Sequence, residues 1–423
     1  MAIANETIDG RPECIAYIAG RIFYGLDSIV YYSQLLEGQS VASASKCYQK
    51  NDPTAEQISD ILATDGGTIP INGADRIIQM VELLQGVIIF ANNGVWYVSG
   101  PDGGFTATSF SVKKLTDEGC VGENTVVKAE GSVVYWSRSG IYRISQNKFA
   151  TVEPENISFD TVQTFFDQIS IAQKTTATGF YNKTKKTIEW FYCDTDTKDN
   201  PFLVNKSLSL DTRSKGWFVN KYNSGLDFSA EGTYKSLIGA VPVKEGALEA
   251  EDLYMYVKSV VGGASSTISY GFAEKINESF QDFGSNFTTA YLDTGFESLG
   301  KPSNKKVAPY MTVHFRQTEE NWVDLGGGDL DLDKPSSCNV SSKWDWNDTN
   351  ANGRFGPSQE AYKFRRFYLP DAAGPFNSGE TVVTNKIKIR GRGNALSIRF
   401  EQTPGKNFEL LGYTVQYNMK GGI

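Results

Sequence analysis

Histidine is almost absent from this chain: among 423 residues there is one, His314. It sits in the alternating run "YMTVHFRQ", which reads as a strand. Catalysis of the Ser/His/Asp or Cys/His kind would rest on that single residue, and no G-x-S-x-G turn accompanies it. A metal site built from several histidines is excluded by count. Cysteine is also scarce. Cys14, Cys47, Cys120, Cys193 and Cys338 are odd in number, widely separated and never in a C-x-x-C pair, so they read as small buried hydrophobes and not as zinc ligands or a disulfide framework. No run approaches the roughly 18 apolar residues of a membrane helix, and no membrane insertion is expected. The opening Met1–Gly10 is polar and carries two acids, unlike a signal peptide, so synthesis in the cytoplasm is expected. An excess of basic charge is missing too. Forty-one Lys and Arg against 49 Asp and Glu leave a formal charge of -8, which disfavours a surface made to grip nucleic acid.

Aromatic residues and glycine are plentiful, at 13% of the chain and 41 residues. That mixture suits many strands joined by tight turns. "LQGVIIFANNGVWYVSG", from Leu84 to Gly100, is an apolar strand, an Asn-Asn-Gly turn and a Trp-bearing return strand. "EGSVVYWSRSGIYRIS", from Glu130 to Ser145, repeats the design. Similar strand-turn-strand units run over Gly20–Gln34, Thr175–Asp194, Ser207–Tyr222 and Val241–Val257. Recurrence of one hairpin predicts an all-β chain with a β-propeller of small antiparallel sheets, five or six of them over residues 1–260.

A helical insertion is expected at about 51–86. Asp52 can cap a helix with Pro53 in its first turn, and Ile58, Ile61 and Leu62 give it an apolar face as far as about Ala63. "GADRIIQMVELLQG", Gly73 to Gly86, fits a strand or a second short helix. Residues 261–423 form a second β-rich, sandwich- or platform-like region whose last strands could pack back on the first. There Ile387, Ile389, Ile398 and Phe400 are expected on one face of a hairpin.

Candidate chemistry is sparse. Paired carboxylates could serve a glycosidase, and Asp329, Asp331 and Asp333 form the densest cluster, behind a Gly-Gly-Gly lead-in that marks an exposed loop. "DTNANGRFGPSQ" puts Asp348, Asn350, Asn352 and Gly353 at the first, third, fifth and sixth positions of a calcium loop. Gln359 occupies the twelfth, where a bidentate carboxylate belongs, with Glu360 beside it. A surface turn is favoured over a metal site. "GGGDL", Gly326 to Leu330, lacks the Gly-Lys-Ser/Thr ending of a phosphate loop. "KIRGRG", Lys388 to Gly393, is the main basic patch and reads as the solvated face of a strand. No catalytic residue, cofactor or metal is expected.

The series "GRIFYGLDSIVYYSQ", "CYQKNDPTAEQISDILATDGGTIPING", "GVIIFANNGVWYVSG", "GGFTATSFSVKKLTDEGC" and "VVYWSRSGIYRIS" resembles the propeller region of the tail nozzle proteins (tail tubular protein B) of short-tailed bacteriophages. The closing "GRGNALSIRFEQTPGKNFELLGYTVQYN" is similar to the end of the same proteins. The resemblance implies a non-enzymatic structural protein of the virion tail. Its subunits would form a homohexameric ring below the tail adaptor protein, help to seat tail fibres, and line the channel through which viral DNA leaves without tight binding. The chain is short for that family, which puts fibre docking and gating in question. The channel face is expected to be neutral to acidic, with Lys388, Arg390 and Arg392 turned to a neighbour, the adaptor or solvent. Two other classes remain open: a carbohydrate- or receptor-binding propeller, marked by exposed Trp and Tyr in blade loops, and a glycan-cleaving propeller enzyme.

Overall fold

A computed structural model describes residues 11–36, 43–48, 61–101, 104–148, 151–193, 206–221, 289–324, 330–346, 355–363, 381–389 and 391–419. It also describes residue 379 and gives the short strands β1 (Ala2–Ile3) and β2 (Glu6–Thr7), three strands within 233–275, and one at 374–375. The chain divides into two compact units, Met1–Ile276 and Asn277–Ile423.

The first unit is a succession of antiparallel meanders. Strands β3 (Cys14–Ile18), β4 (Arg21–Leu26), β5 (Ile29–Tyr32) and β6 (Gly67–Pro70) make the first sheet. The second holds β7 (Ile77–Leu83), β8 (Gly86–Ala91), β9 (Gly94–Ser99) and β10 (Ser111–Thr116). The third holds β11 (Val127–Ala129), β12 (Ser132–Trp136), β13 (Ile141–Gln146) and β14 (Val152–Asn156). The fourth holds β15 (Thr178–Asn182), β16 (Thr187–Tyr192), β17 (Lys206–Asp211) and β18 (Trp217–Lys221). A three-stranded fifth sheet follows, with β19 (Thr233–Val243), β20 (Asp252–Val261) and β21 (Ile268–Lys275). The unit boundary lies beyond 260 because β21 pairs with β20 along its whole length.

Turn chemistry sets the registers. Ala19-Gly20 and Glu130-Gly131 each form the two-residue loop of a hairpin with both residues at positive φ, the type I′ geometry whose twist matches the strands. Glycine at the second position takes that conformation at little steric cost.

The sheets stack face to face. Along β8 the side chains alternate between two cores: Val87, Ile89 and Ala91 join Phe23, Val30 and Met80 against the first sheet, while Ile88 and Phe90 meet Val133, Tyr135 and Ile144 of the third. Burial on both faces explains why "VIIFA" is apolar without alternation. β12 repeats the arrangement, sending Val134 and Trp136 toward Ile188, Trp190 and Leu208 of the fourth sheet. Each such side chain contributes roughly 1.5–3 kcal/mol through burial.

Stacked four-stranded meanders are what the repeated hairpins predict, yet the series does not close into a ring. The first sheet consists of consecutive strands only, and no strand from the far end of the unit completes it among the described residues. The hairpins at Thr175–Asp194 and Ser207–Tyr222 are one sheet, not two, because β16 pairs with β17 across the intervening segment.

The expected helical insertion is corrected in its second half. Residues 67–70 and 77–83 are strands. A bulge between Ile77 and Gln79 switches the parity of β7, so Ile77 and Met80 share one core while Val81 and Leu83 face the other. The buried residues thereby acquire a helix-like spacing of three in a strand. The proposed helix from Asp52 lies outside the described residues as far as 60, and its expected end at Ile61–Ala63 is not helical. Two short helices that the sequence pattern did not suggest, α1 (Gln163–Gln168) and α2 (Ile171–Thr176), join the third sheet to the fourth. The second is opened by a reciprocal Ser170–Gln173 capping box.

In the second unit, β22 (Tyr291–Asp293) begins a sheet completed by three later strands. β23 (Lys306–Arg316), β24 (Asn321–Asp324), β25 (Leu330–Leu332), β26 (Asn339–Trp344), β27 (Gln359–Glu360), β28 (Gly374–Pro375), β29 (Val382–Lys388), β30 (Arg392–Gly393), β31 (Leu396–Glu401) and β32 (Glu409–Met419) follow. One sheet has the order β22-β31-β26-β27; in a second, β23 lies between β29 with β30 and β32. Met311, Val313, Phe315 and Ile387 from one meet Val340, Ile398 and Phe400 from the other in a shared core. Ile387, Ile389, Ile398 and Phe400 therefore share a core, but across two sheets and not on a hairpin.

Candidate functional site

The third and fourth sheets leave a cleft of about 630 Å³ between them, a size that suits a small-molecule or oligomer site. Its floor comes from β13 and β14, where Arg143 stands opposite Glu155 in register, with Ser145 and Asn156 alongside. Its walls are the β11–β12 turn at Glu130 and Gly131, the turn after β17 with Asp211, Thr212 and Lys215, and Trp217 at the start of β18. Asp160 and Thr161 also line it.

Several of these groups are already engaged. The Glu130 carboxylate accepts from Tyr181 Oη at 2.9 Å and meets Lys186 Nζ at 3.5 Å; the tyrosine's hydrogen bond leads the effects that hold Glu130 below the usual carboxylate range. Tyr181 is in turn pushed up to about 12, by burial first and by that carboxylate second. Asp211 accepts from the backbone N–H of Arg213 and Ser214. Burial raises its pKa, but these bonds and the Arg213 charge leave it lowered. Arg143 differs, since its Nε is buried with no hydrogen-bond partner.

Trp217 is the outermost of three indoles. It stacks on Trp190 at 6.3 Å and 22°, and Trp190 lies 5.8 Å from Trp136 in the core. Trp190 Nε1 donates to Thr125 O, which fixes the middle ring. The ladder gives the cleft a rigid aromatic wall.

A second cleft of about 680 Å³ lies between the second and third sheets, bordered by Tyr97, Ser99, Lys113 and Leu115. Leu84 and Gln146 line both, so the two depressions adjoin across the end of β13.

The candidates named from sequence lie elsewhere. His314 is in β23, with Nδ1 2.9 Å from Thr384 Oγ1 on β29, a cross-strand contact. Asp333 accepts from the N–H groups of Glu320 and Asn321 and from Asn321 Nδ2. Those bonds keep its carboxyl lowered against burial, which pulls the other way. It is a structural turn cap. Asp331 stays on β25, and Asp329 lies outside the described residues, as do Asp348, Asn350, Asn352 and Gly353 of the calcium-like loop and most of Gly326–Leu330. Gln359 and Glu360 form the short edge strand β27. Lys388 and Arg392 are exposed, and Arg390 is outside the described residues. All five cysteines are buried and none is in a disulfide; burial pushes Cys14, Cys47 and Cys338 up to about 12 and Cys120 to about 11, so these four are not ready thiolates. No group of three or more metal-binding side chains occurs among the described residues, and none of the helices there is long and apolar enough to cross a membrane.

Arg143, Glu155 and Trp217 were not singled out from sequence. The one available signal was an arginine at an inward-alternating position of "IYRIS".

No family model and no curated protein matches the chain. Among solved structures it is similar to a chimera of apocarotenoid oxygenase and RPE65 at 10% identity and a TM-score of 0.29, over 61% of this chain and 58% of the chimera. A mutant Synechocystis apocarotenoid oxygenase aligns at 9% identity and a TM-score of 0.28, over 62% and 71% of the two chains. An exo-beta-1,3-galactanase from Phanerochaete chrysosporium aligns at 10% identity and a TM-score of 0.26, over 98% and 97%. The chain thus spans little more than half the length of the chimera, and scores this low leave the reading of function to the chain's own residues.

Proposed function

We propose that the chain is a structural subunit of a short-tailed bacteriophage tail, a nozzle-type protein that assembles with copies of itself into a ring around the DNA exit channel. The observation that supports this reading is the edge strand β32. It runs for 11 residues, pairs on one side with β23, and has no partner on the other among the described residues. Proteins guard such edges with proline, lysine, bulges or short length, and β32 has one bulge, at Leu411. β32 has no proline or lysine and is long: its one charge, Glu409, sits at its start 3.3 Å from Arg316. Leu411, Tyr417 and Met419 stand 49%, 36% and 55% exposed. A long apolar edge is a pairing surface, and the opposite edge of the same sheet, β29, offers a strand for a head-to-tail contact. Repeated contacts of that kind close into a ring when the rotation per copy permits.

The formal charge of -8 per copy suits a conduit, since DNA would meet few cations to slow it. Native mass spectrometry and negative-stain microscopy of the purified chain test the reading together. The expected result is a closed ring with a central pore that reverts to monomer in the double variant Leu411→Lys, Tyr417→Lys. A wild-type chain that stays monomeric at micromolar concentration overturns it.

A further inference from the structure

We propose that the cleft between the third and fourth sheets is a binding site for a neutral oligosaccharide, independent of the assembly reading above. Three observations point to that ligand class. First, Trp217 is backed by Trp190 and Trp136, so one indole is held rigidly in the cleft wall. A pyranose ring presents a flat patch of C–H groups that packs on such a surface.

Second, the polar groups of the cleft carry both signs. Arg143, a partly exposed residue, lines it directly across the ladder from Glu155, and Asp160 adds a second carboxylate. A sugar hydroxyl is donor and acceptor at once, so adjacent hydroxyls can accept from the guanidinium and donate to a carboxylate. With Lys186 beside Glu130 and Arg213 beside Asp211, the four acids of the lining are balanced by cations, and a polyanion such as nucleic acid finds no basic track.

Third, the cleft adjoins the second one through Leu84 and Gln146, giving an elongated path over three sheets. That shape fits an oligomer better than a monosaccharide. A peptide could use the same path by pairing with β14, the edge of the third sheet, but Pro154 removes a backbone donor from the middle of that strand. Hydroxyl recognition by side chains remains as the mode the lining supports.

The test uses the full-length chain on an array of neutral and anionic oligosaccharides, followed by titration of each binder with tryptophan fluorescence as the readout. At least one neutral oligosaccharide should bind and shift the emission. Arg143→Gln and Trp217→Ala should each weaken it at least tenfold, whereas Trp217→Phe, which keeps an aromatic face, should retain most of the affinity. Unchanged far-ultraviolet circular dichroism shows that each variant is folded, and Arg143→Gln serves where Trp217→Ala is not. Three outcomes overturn the proposal: no neutral oligosaccharide bound at millimolar concentration, binding confined to anionic glycans, or binding that survives both Arg143→Gln and Trp217→Ala. None of these bears on ring formation, which is read by native mass.

Discussion

Replacing Arg21 with methionine should cost the first unit about 2–6 kcal/mol, through the buried carbonyls it would leave without a donor. Arg21 is 1% exposed. Nη1 donates to Ser33 O at 2.6 Å and to Asp65 O at 2.5 Å, and Nη2 donates to Ala63 O. The guanidinium carbon lies 5.7 Å from the ring centre of Tyr32 and 6.0 Å from that of Phe105. Its planar fork therefore gathers carbonyls from the end of β5 and from the 63–65 segment that leads into β6. Methionine would fill much of the volume between the rings but leave those carbonyls without a donor. An unsatisfied buried acceptor costs about 1–3 kcal/mol, and the two contacts with Ser33 and Asp65 are fully buried. Lysine should be intermediate, because a single ammonium cannot match the fork. Urea unfolding, with hydrogen exchange of the Arg21–Tyr32 amides as a local reporter, measures the loss. A methionine variant within 1 kcal/mol of wild type would show that water replaces the guanidinium there and would refute the reasoning.

Burial raises the pKa of Glu189 above its ordinary value of 4.5, with the Lys185 charge and Thr187 pulling the other way, and its Oε2 is buried with no partner. The folded chain then keeps a proton that the unfolded chain has released, so stability is fullest below about pH 4.5 and falls as pH rises toward the folded-state pKa. Glu189→Gln should raise the melting temperature at neutral pH and make no difference at pH 4; an equal effect at both would remove the charge from the explanation. A Cβ on Gly119 would stand 2.0 Å from Asn92 O and 2.6 Å from Ala91 O, both backbone atoms with little room to move. Gly119→Ala should cost about 2–3 kcal/mol by chemical denaturation, and a neutral result would mean that the β8–β9 turn yields readily.

Much of the first unit was legible because its strands announce themselves locally. Alternation, aromatic content and Gly-bearing turns depend on residues within one hairpin, and the β8–β9 and β12–β13 hairpins lie where those signals put them. What alternation does not encode is which hairpin pairs with which. β16 and β17 join two hairpins into one sheet through backbone bonds that any sequence could make. β7 misleads for a different reason: one inserted residue at its bulge converts a period of two into a spacing of three. The Ser170–Gln173 capping box was readable as an S-x-x-Q pattern, but the six-residue helix that it opens is too short to show periodicity.

The cleft was hidden by a stronger effect, since no segment contains enough of it to resemble a motif. Arg143 comes from one hairpin, Glu155 from the strand after it, and Trp217 from the last strand of the next sheet. The indole looks like a core residue in sequence, and its inner neighbours Trp136 and Trp190 are core residues indeed. What separates the three is position along a stack that crosses from one sheet to the next, with the outermost ring left at the edge of the packing. A repeat architecture produces such edges wherever twisted sheets diverge. Function in a fold of this kind is therefore better sought in the polar and aromatic residues that line the gaps between sheets than in compact motifs. Among the described residues, the gap between the third and fourth sheets brings together a backed indole and an arginine opposite a carboxylate.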